Sequence, residues 1–187
     1  MNDLTPLMTR CSALFALAAS LLLVAACSPA FNWRDVRPDG TALSLLLPCK
    51  PDKAQRSVPL GGQPTELAML GCDAGGVTFA LAVATVRDAT QLAAVQAGWQ
   101  AATLANMKAT GAGRTTNLKV PGASLQPPAV LVRASGQRAD GQPVTSQAAY
   151  FAQGRQLFQA VVYADKLQPE VAETFFSSLK FDGESTR

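Results

Sequence analysis

The stretch from Ala129 to Tyr163 constrains the fold most. Three apolar-rich runs, Ala129 to Gln137, Val144 to Ala152 and Gln156 to Tyr163, are separated only by turns at Ala139-Asp140-Gly141-Gln142 and Gln153-Gly154-Arg155. Connections this short join antiparallel neighbours, because parallel strands need a crossover of a dozen or more residues. Asp-Gly is a favoured hairpin dipeptide because glycine accepts positive φ without steric cost. The spacing therefore predicts a three-stranded antiparallel meander. Any fold for this chain must extend that sheet and cover it.

Upstream segments supply both. Thr41 to Leu47 is a largely apolar run ended by Pro48, the pattern of a buried strand. Gln55 to Leu60 and Thr65 to Leu70 flank Gly61-Gly62 and read as a hairpin. In Val77 to Val86, Val77, Phe79, Leu81 and Val83 share one face. Thr78, Ala80, Ala82 and Ala84 share the other, which is small enough to lie under a helix. Between Asp88 and Lys108 the period changes. Leu92, Val95, Trp99 and Ala102 recur at steps of three and four, the stripe of an amphipathic helix, with Thr90 as the expected N-cap. Arg114 to Val120 reads as a short strand. Pro169 to Ser178 predicts a closing helix with Pro169 in its first turn and Val171, Phe175, Phe176 and Leu179 facing inward.

Sequential antiparallel strands interrupted by two main helices define an α+β class, with a largely antiparallel sheet of about six or seven strands. No internal repeat or second core is visible, and a single domain over residues 33–182 is expected. The element order, with Leu47-Pro48 ending an early strand and Phe175-Phe176-Ser177-Ser178-Leu179-Lys180-Phe181 closing the chain, resembles PsbP-like α/β/α sandwich domains. It is similar in particular to uncharacterised proteobacterial lipoproteins of that shape. Domains of this shape serve diverse roles, many as accessory or assembly factors, so the resemblance alone does not carry a function.

The N-terminus reads as an address. Ala13 to Ala26 is apolar apart from Ser20, too short for a membrane-spanning helix. Arg10 provides a modest positive flank; translation from Met8 instead of Met1 would remove Asp3 and sharpen it. Leu23-Val24-Ala25-Ala26-Cys27 resembles the lipobox of bacterial lipoproteins, whereas an A-x-A-like cut for a soluble secreted product is disfavoured by Pro29. The resemblance implies cleavage of residues 1–26, lipidation of Cys27 and a short tether over residues 27–32. It also implies membrane attachment through that lipid. Two or three acyl chains anchor stably where one is marginal. Ser28, in place of an aspartate, favours the outer membrane of a Gram-negative envelope. Residues 183–187 form a C-terminal tail.

Four cysteines then reduce to two. Cys11 leaves with the signal and Cys27 takes lipid, so Cys49 and Cys72 remain. An even pair in an oxidising compartment reads as a structural disulfide. By the chain-entropy model, closing its loop stabilises by about 3 kcal/mol. The alternatives are weaker: a redox pair favours C-x-x-C spacing, and a zinc site needs four ligands.

Composition narrows the chemistry. The chain has no histidine and a net charge of +3. The usual general base, the Ser-His and Cys-His dyads and the commonest metal ligand are all missing. The basic residues are scattered, so no nucleic-acid partner is expected. Ser177-Ser178-Leu179-Lys180 matches S-x-x-K, but the S-D-N and K-T-G partners of that hydrolase motif are absent. Most carboxylates fall in turns or at helix starts, Asp39 in Pro38-Asp39-Gly40 among them; Glu66 alone sits inside an expected strand, on its wet face. Trp99 reads as core and Trp33 as a cap on the core. No catalytic, cofactor or metal residue is assigned. The sequence points to a lipid-anchored, non-enzymatic envelope domain facing the periplasm, binding an unknown protein partner or apolar ligand. A histidine-free Ser-Lys hydrolase and a purely structural lipoprotein are the alternatives.

Overall fold

A computed structural model describes residues 30–182. The expected signal segment 1–26, the expected lipidation site Cys27, Ser28, Pro29 and the tail 183–187 lie outside the described residues. In chain order the elements are β1 (Arg34–Val36), β2 (Leu43–Leu47), β3 (Asp52–Leu60), β4 (Gln63–Ala74), β5 (Val77–Thr85), α1 (Leu92–Asn106), β6 (Arg114–Asn117), β7 (Val130–Gln137), β8 (Pro143–Gln153), β9 (Gln156–Ala164), α2 (Pro169–Ser177) and β10 (Lys180–Phe181).

The meander forms as expected: β7, β8 and β9 are antiparallel neighbours, with Gln137 opposite Pro143 and Gln153 opposite Gln156. It extends on both sides into one seven-stranded antiparallel sheet in the order β3-β4-β5-β9-β8-β7-β6. The hairpin of β3 and β4 turns on Gly61-Gly62, with Leu60 opposite Gln63.

The strand inventory differs from expectation in one respect. A second, three-stranded sheet pairs β1 and β10 on either side of β2. Neither flanking strand has a sequence pattern: β1 is three residues of mainly charged character and β10 is two residues. Their extended geometry comes from docking on β2, which is a tertiary effect.

The alternation in β5 explains the layers. Phe79, Leu81 and Val83 face one core together with β2 leucines Leu43, Leu45 and Leu47 and helix residues Val171, Phe175 and Phe176. Ala82 and Ala84 face the other core with Leu92, Val95 and Trp99 of α1. The small side chains let the helix approach the sheet. The seven-stranded sheet therefore lies between α1 on one face and α2 with the small sheet on the other.

Helix α1 starts differently from the expected cap. Residues Ala89–Gln91 form a 3-10 turn whose N-cap is Asp88; its carboxylate accepts from the Thr90 backbone N–H at 2.9 Å. Thr90 is thus the donor and Asp88 the cap. The helix buries Gln96, which lies outside the expected stripe, and leaves Ala102, the last residue of that stripe, exposed.

Cys49 and Cys72 are disulfide-bonded, with 6.0 Å between their Cα atoms. The bond ties the exit of β2 to β4, and so joins the two sheets. Trp33 caps the core: it stacks on Phe31 at 5.9 Å and meets the edge of Phe79 at 5.8 Å. Phe31 also lies over Gly75, whose φ of +57° and whose contact with the ring leave no room for a Cβ. Both cores are built from residues between Phe31 and Asp182. A chain beginning at Ser28 carries every core residue found among the described residues.

Candidate functional site

One helix cannot cover seven strands. At 1.5 Å per residue α1 is about 22 Å long and about 10 Å wide, against a sheet about 30 Å across. It crosses at a slant. Val95 near its start packs against Gly61 at the β3 to β4 turn, and Met107 just past its end lies against Gly136 of β7. The flank of α1 facing β3 and β4 is left open, and a cleft of about 670 Å³ runs along it.

Trp99, Ala102, Thr103 and Asn106 of α1 form one wall. Leu67 and Met69 of β4 with Gln159 and Tyr163 of β9 form the floor. Arg56, Val58 and Pro59 of β3 rise on the far side, and Gln137-Arg138-Ala139 close the lower end. The sheet places the floor side chains on one face by register: Ala82 opposes Gln159, and Gln159 opposes Tyr150.

A hydrogen-bonded chain runs beneath the helix. The Gln159 side-chain amide donates to the Tyr150 hydroxyl and to Thr103 Oγ1, each at 2.8 Å. Thr103 Oγ1 donates to the Trp99 carbonyl at 2.9 Å. The Trp99 ring meets Tyr150 edge-on at 6.3 Å. Gln159 and Tyr150 are both buried, so satisfying them matters; an orphaned polar group there would cost about 1–3 kcal/mol. The network pins the helix end to the sheet and fixes the shape of the cleft.

Both tyrosines are held neutral. Burial pushes the Tyr163 phenol up to about 12, with a further contribution from Tyr150. Burial also raises Tyr150, partly offset by its hydrogen bonds with Thr103 and Gln159. These are the only two tyrosines of the chain, so an ultraviolet titration of phenolate absorbance reads this site alone. The folded state binds these protons more tightly than the unfolded state. Stability is therefore unaffected below about pH 10 and falls as pH rises above it. We expect the Tyr163 phenolate to form in the folded protein only near pH 12, and Tyr150 to titrate above its ordinary value. A native-state midpoint near 10 for Tyr163 would contradict its placement on the half-buried floor of the cleft.

Other sequence-level candidates are dispersed. Ser177 ends α2 with its hydroxyl donating to the Thr174 carbonyl, and Lys180 Nζ lies 3.9 Å from the Asp182 carboxylate. Each has its own partner. Ser178 is structural: its hydroxyl accepts from the Leu46 N–H at 2.9 Å and donates to the Phe175 carbonyl at 2.6 Å, joining α2 to β2. Glu66 is exposed, and Asp39 pairs with Lys53 beside a smaller depression of about 500 Å³ along β3 and β4. No group of three metal-ligating side chains occurs among the described residues. Sequence reasoning missed the cleft residues Thr103, Gln159 and Tyr163 and the buried Tyr150 beneath them. The available signal was Gln159 itself, a large amide inside the apolar run Leu157 to Val162.

No family model matches the chain, and no curated protein does. Solved structures match at low similarity. A Bacteroides thetaiotaomicron protein is 10% identical over 79% of this chain and 48% of its own, with a TM-score of 0.44. A Pseudomonas aeruginosa protein of unknown function is 15% identical over 71% of this chain and 82% of its own, with a TM-score of 0.33. This chain spans about half the length of the Bacteroides protein.

Proposed function

We propose that this protein is a lipid-anchored cell-envelope domain that binds an apolar ligand in the α1 cleft and performs no catalysis. In this reading Cys27 carries the lipid and holds the domain on the periplasmic side, at the outer membrane by the logic of Ser28. The observation that carries the ligand-binding part is the cleft. Its volume falls in the range of small-molecule sites, about 300–1,000 Å³. Its lining combines apolar side chains with a few fixed polar groups, the usual composition of such sites. The lipobox-like segment and the Cys49–Cys72 bridge support an oxidising location.

Two mass measurements test this. The intact mature protein from membranes is expected to start at Cys27 with acyl chains attached; a free thiol there, or a chain retaining residues 1–26, would refute the anchor. Native mass spectrometry of residues 28–187, purified without detergent, is expected to show a bound small molecule. Ala102→Phe, which fills the cleft from an exposed helix position, should abolish that adduct. An adduct unchanged by Ala102→Phe would place the ligand elsewhere.

A further inference from the structure

The cleft carries a charge as well as an apolar floor. Among its lining residues are two arginines, Arg56 and Arg138, and no carboxylate. Arg138 is already paired with Asp165 at 3.1 Å, whereas Arg56 makes no ion pair among the described residues. Arg56 lies directly opposite Leu67 in the β3–β4 register. The free guanidinium therefore stands at the margin of the apolar surface made by Leu67 and Met69. Tyr163 stays protonated far above neutral pH, so the floor adds no competing negative charge.

We infer that the α1 cleft takes a single-chain amphiphile with an anionic head, the head meeting Arg56 and the chain lying over Leu67 and Met69 against α1. This rests on the ligand-binding reading given above and names the ligand class. A guanidinium suits either a carboxylate or a phosphate head because its fork of donors pairs with two oxygens at once. The hydrocarbon chain gains by leaving water, at about 0.8 kcal/mol per methylene.

The test uses residues 28–187 carrying Trp33→Phe, which leaves Trp99 as the sole tryptophan and places it in the cleft wall. The probes are dodecanoate and dodecyl phosphate below their micelle concentrations, with dodecanol and dodecyltrimethylammonium as neutral and cationic counterparts. Saturable fluorescence changes are expected with the anions, whose relative affinities separate a carboxylate from a phosphate source. Dodecyltrimethylammonium should bind at least tenfold more weakly. Arg56→Gln should weaken anion binding about fivefold and Arg138→Gln less than twofold. Calorimetric titration of the chain retaining Trp33 should give the same ranking. If all four probes bind equally, or Arg56→Gln binds like the parent, this inference fails while the ligand-binding reading stands. If none binds, both fail.

Discussion

Replacing Phe79 by alanine is expected to lower the unfolding free energy by about 3–5 kcal/mol. Phe79 is fully buried at the centre of an aromatic cluster. Its ring meets Phe175 of α2 at 5.4 Å, Trp33 at 5.8 Å and Phe31 at 6.4 Å, each nearly perpendicular. Edge-to-face pairs of this kind add about 0.5–1.5 kcal/mol each beyond the area they bury. The loss should therefore lie toward the upper end of the range, a large share of the roughly 5–15 kcal/mol that holds a domain together. Urea denaturation followed by tryptophan fluorescence measures it. The effect also has a location. Phe31 and Trp33 lean on this ring, so backbone amides of residues 31–36 should exchange faster in Phe79→Ala than those of β8 and β9. Phe79→Leu should recover part of the loss. A loss under about 1 kcal/mol for the alanine variant would mean that this cluster is not the centre of the core.

Gly136→Ala is the second large effect, expected to cost about 3 kcal/mol. The loss here comes from crowding, whereas Phe79→Ala leaves a void. A Cβ on Gly136 would sit 2.1 Å from the Met107 carbonyl oxygen and 3.1 Å from its carbon. Those atoms are backbone, and the oxygen is also held by the Gln137 N–H at 2.7 Å. Relief requires the segment after α1 to move off β7, and overpacking of this kind costs about 1–3 kcal/mol, occasionally more. Gly98 provides the contrast. It is exposed in α1 with nothing within 4 Å of its would-be Cβ. Gly98→Ala should stabilise by about 0.5–1 kcal/mol through helix propensity. Thermal denaturation of the two variants should move in opposite directions. A Gly136→Ala protein as stable as the parent would contradict the close approach.

These two positions also show what sequence could and could not reveal. The alternation around Phe79 and the alanines Ala82 and Ala84 specify opposite faces of β5, so the two layers were legible from a single strand. The turn at Asp140-Gly141 specified its hairpin because the conformational demand is local. Gly136 gave no warning. It sits next to the end of β7, and its necessity arises from Met107, a residue far off in the chain, crossing above it. The same non-local cause hid the small sheet, whose outer strands are extended only because β2 lies beside them. It hid the cleft too. Strand register gathers Tyr150, Gln159 and Tyr163 on one face, but only the slant of α1 across the sheet brings Thr103 over them. The disulfide was within reach of arithmetic because only two cysteines remained after the lipobox-like segment.

Amide chemical-shift mapping of residues 28–187 with dodecanoate shows whether the open flank of α1 is the ligand site we propose. Saturable shifts are expected at Arg56, Met69, Thr103, Gln159 and Tyr163, with Phe31, Trp33 and the α2 residues unmoved. Shifts confined to the α2 face, or none at concentrations below micelle formation, would contradict it.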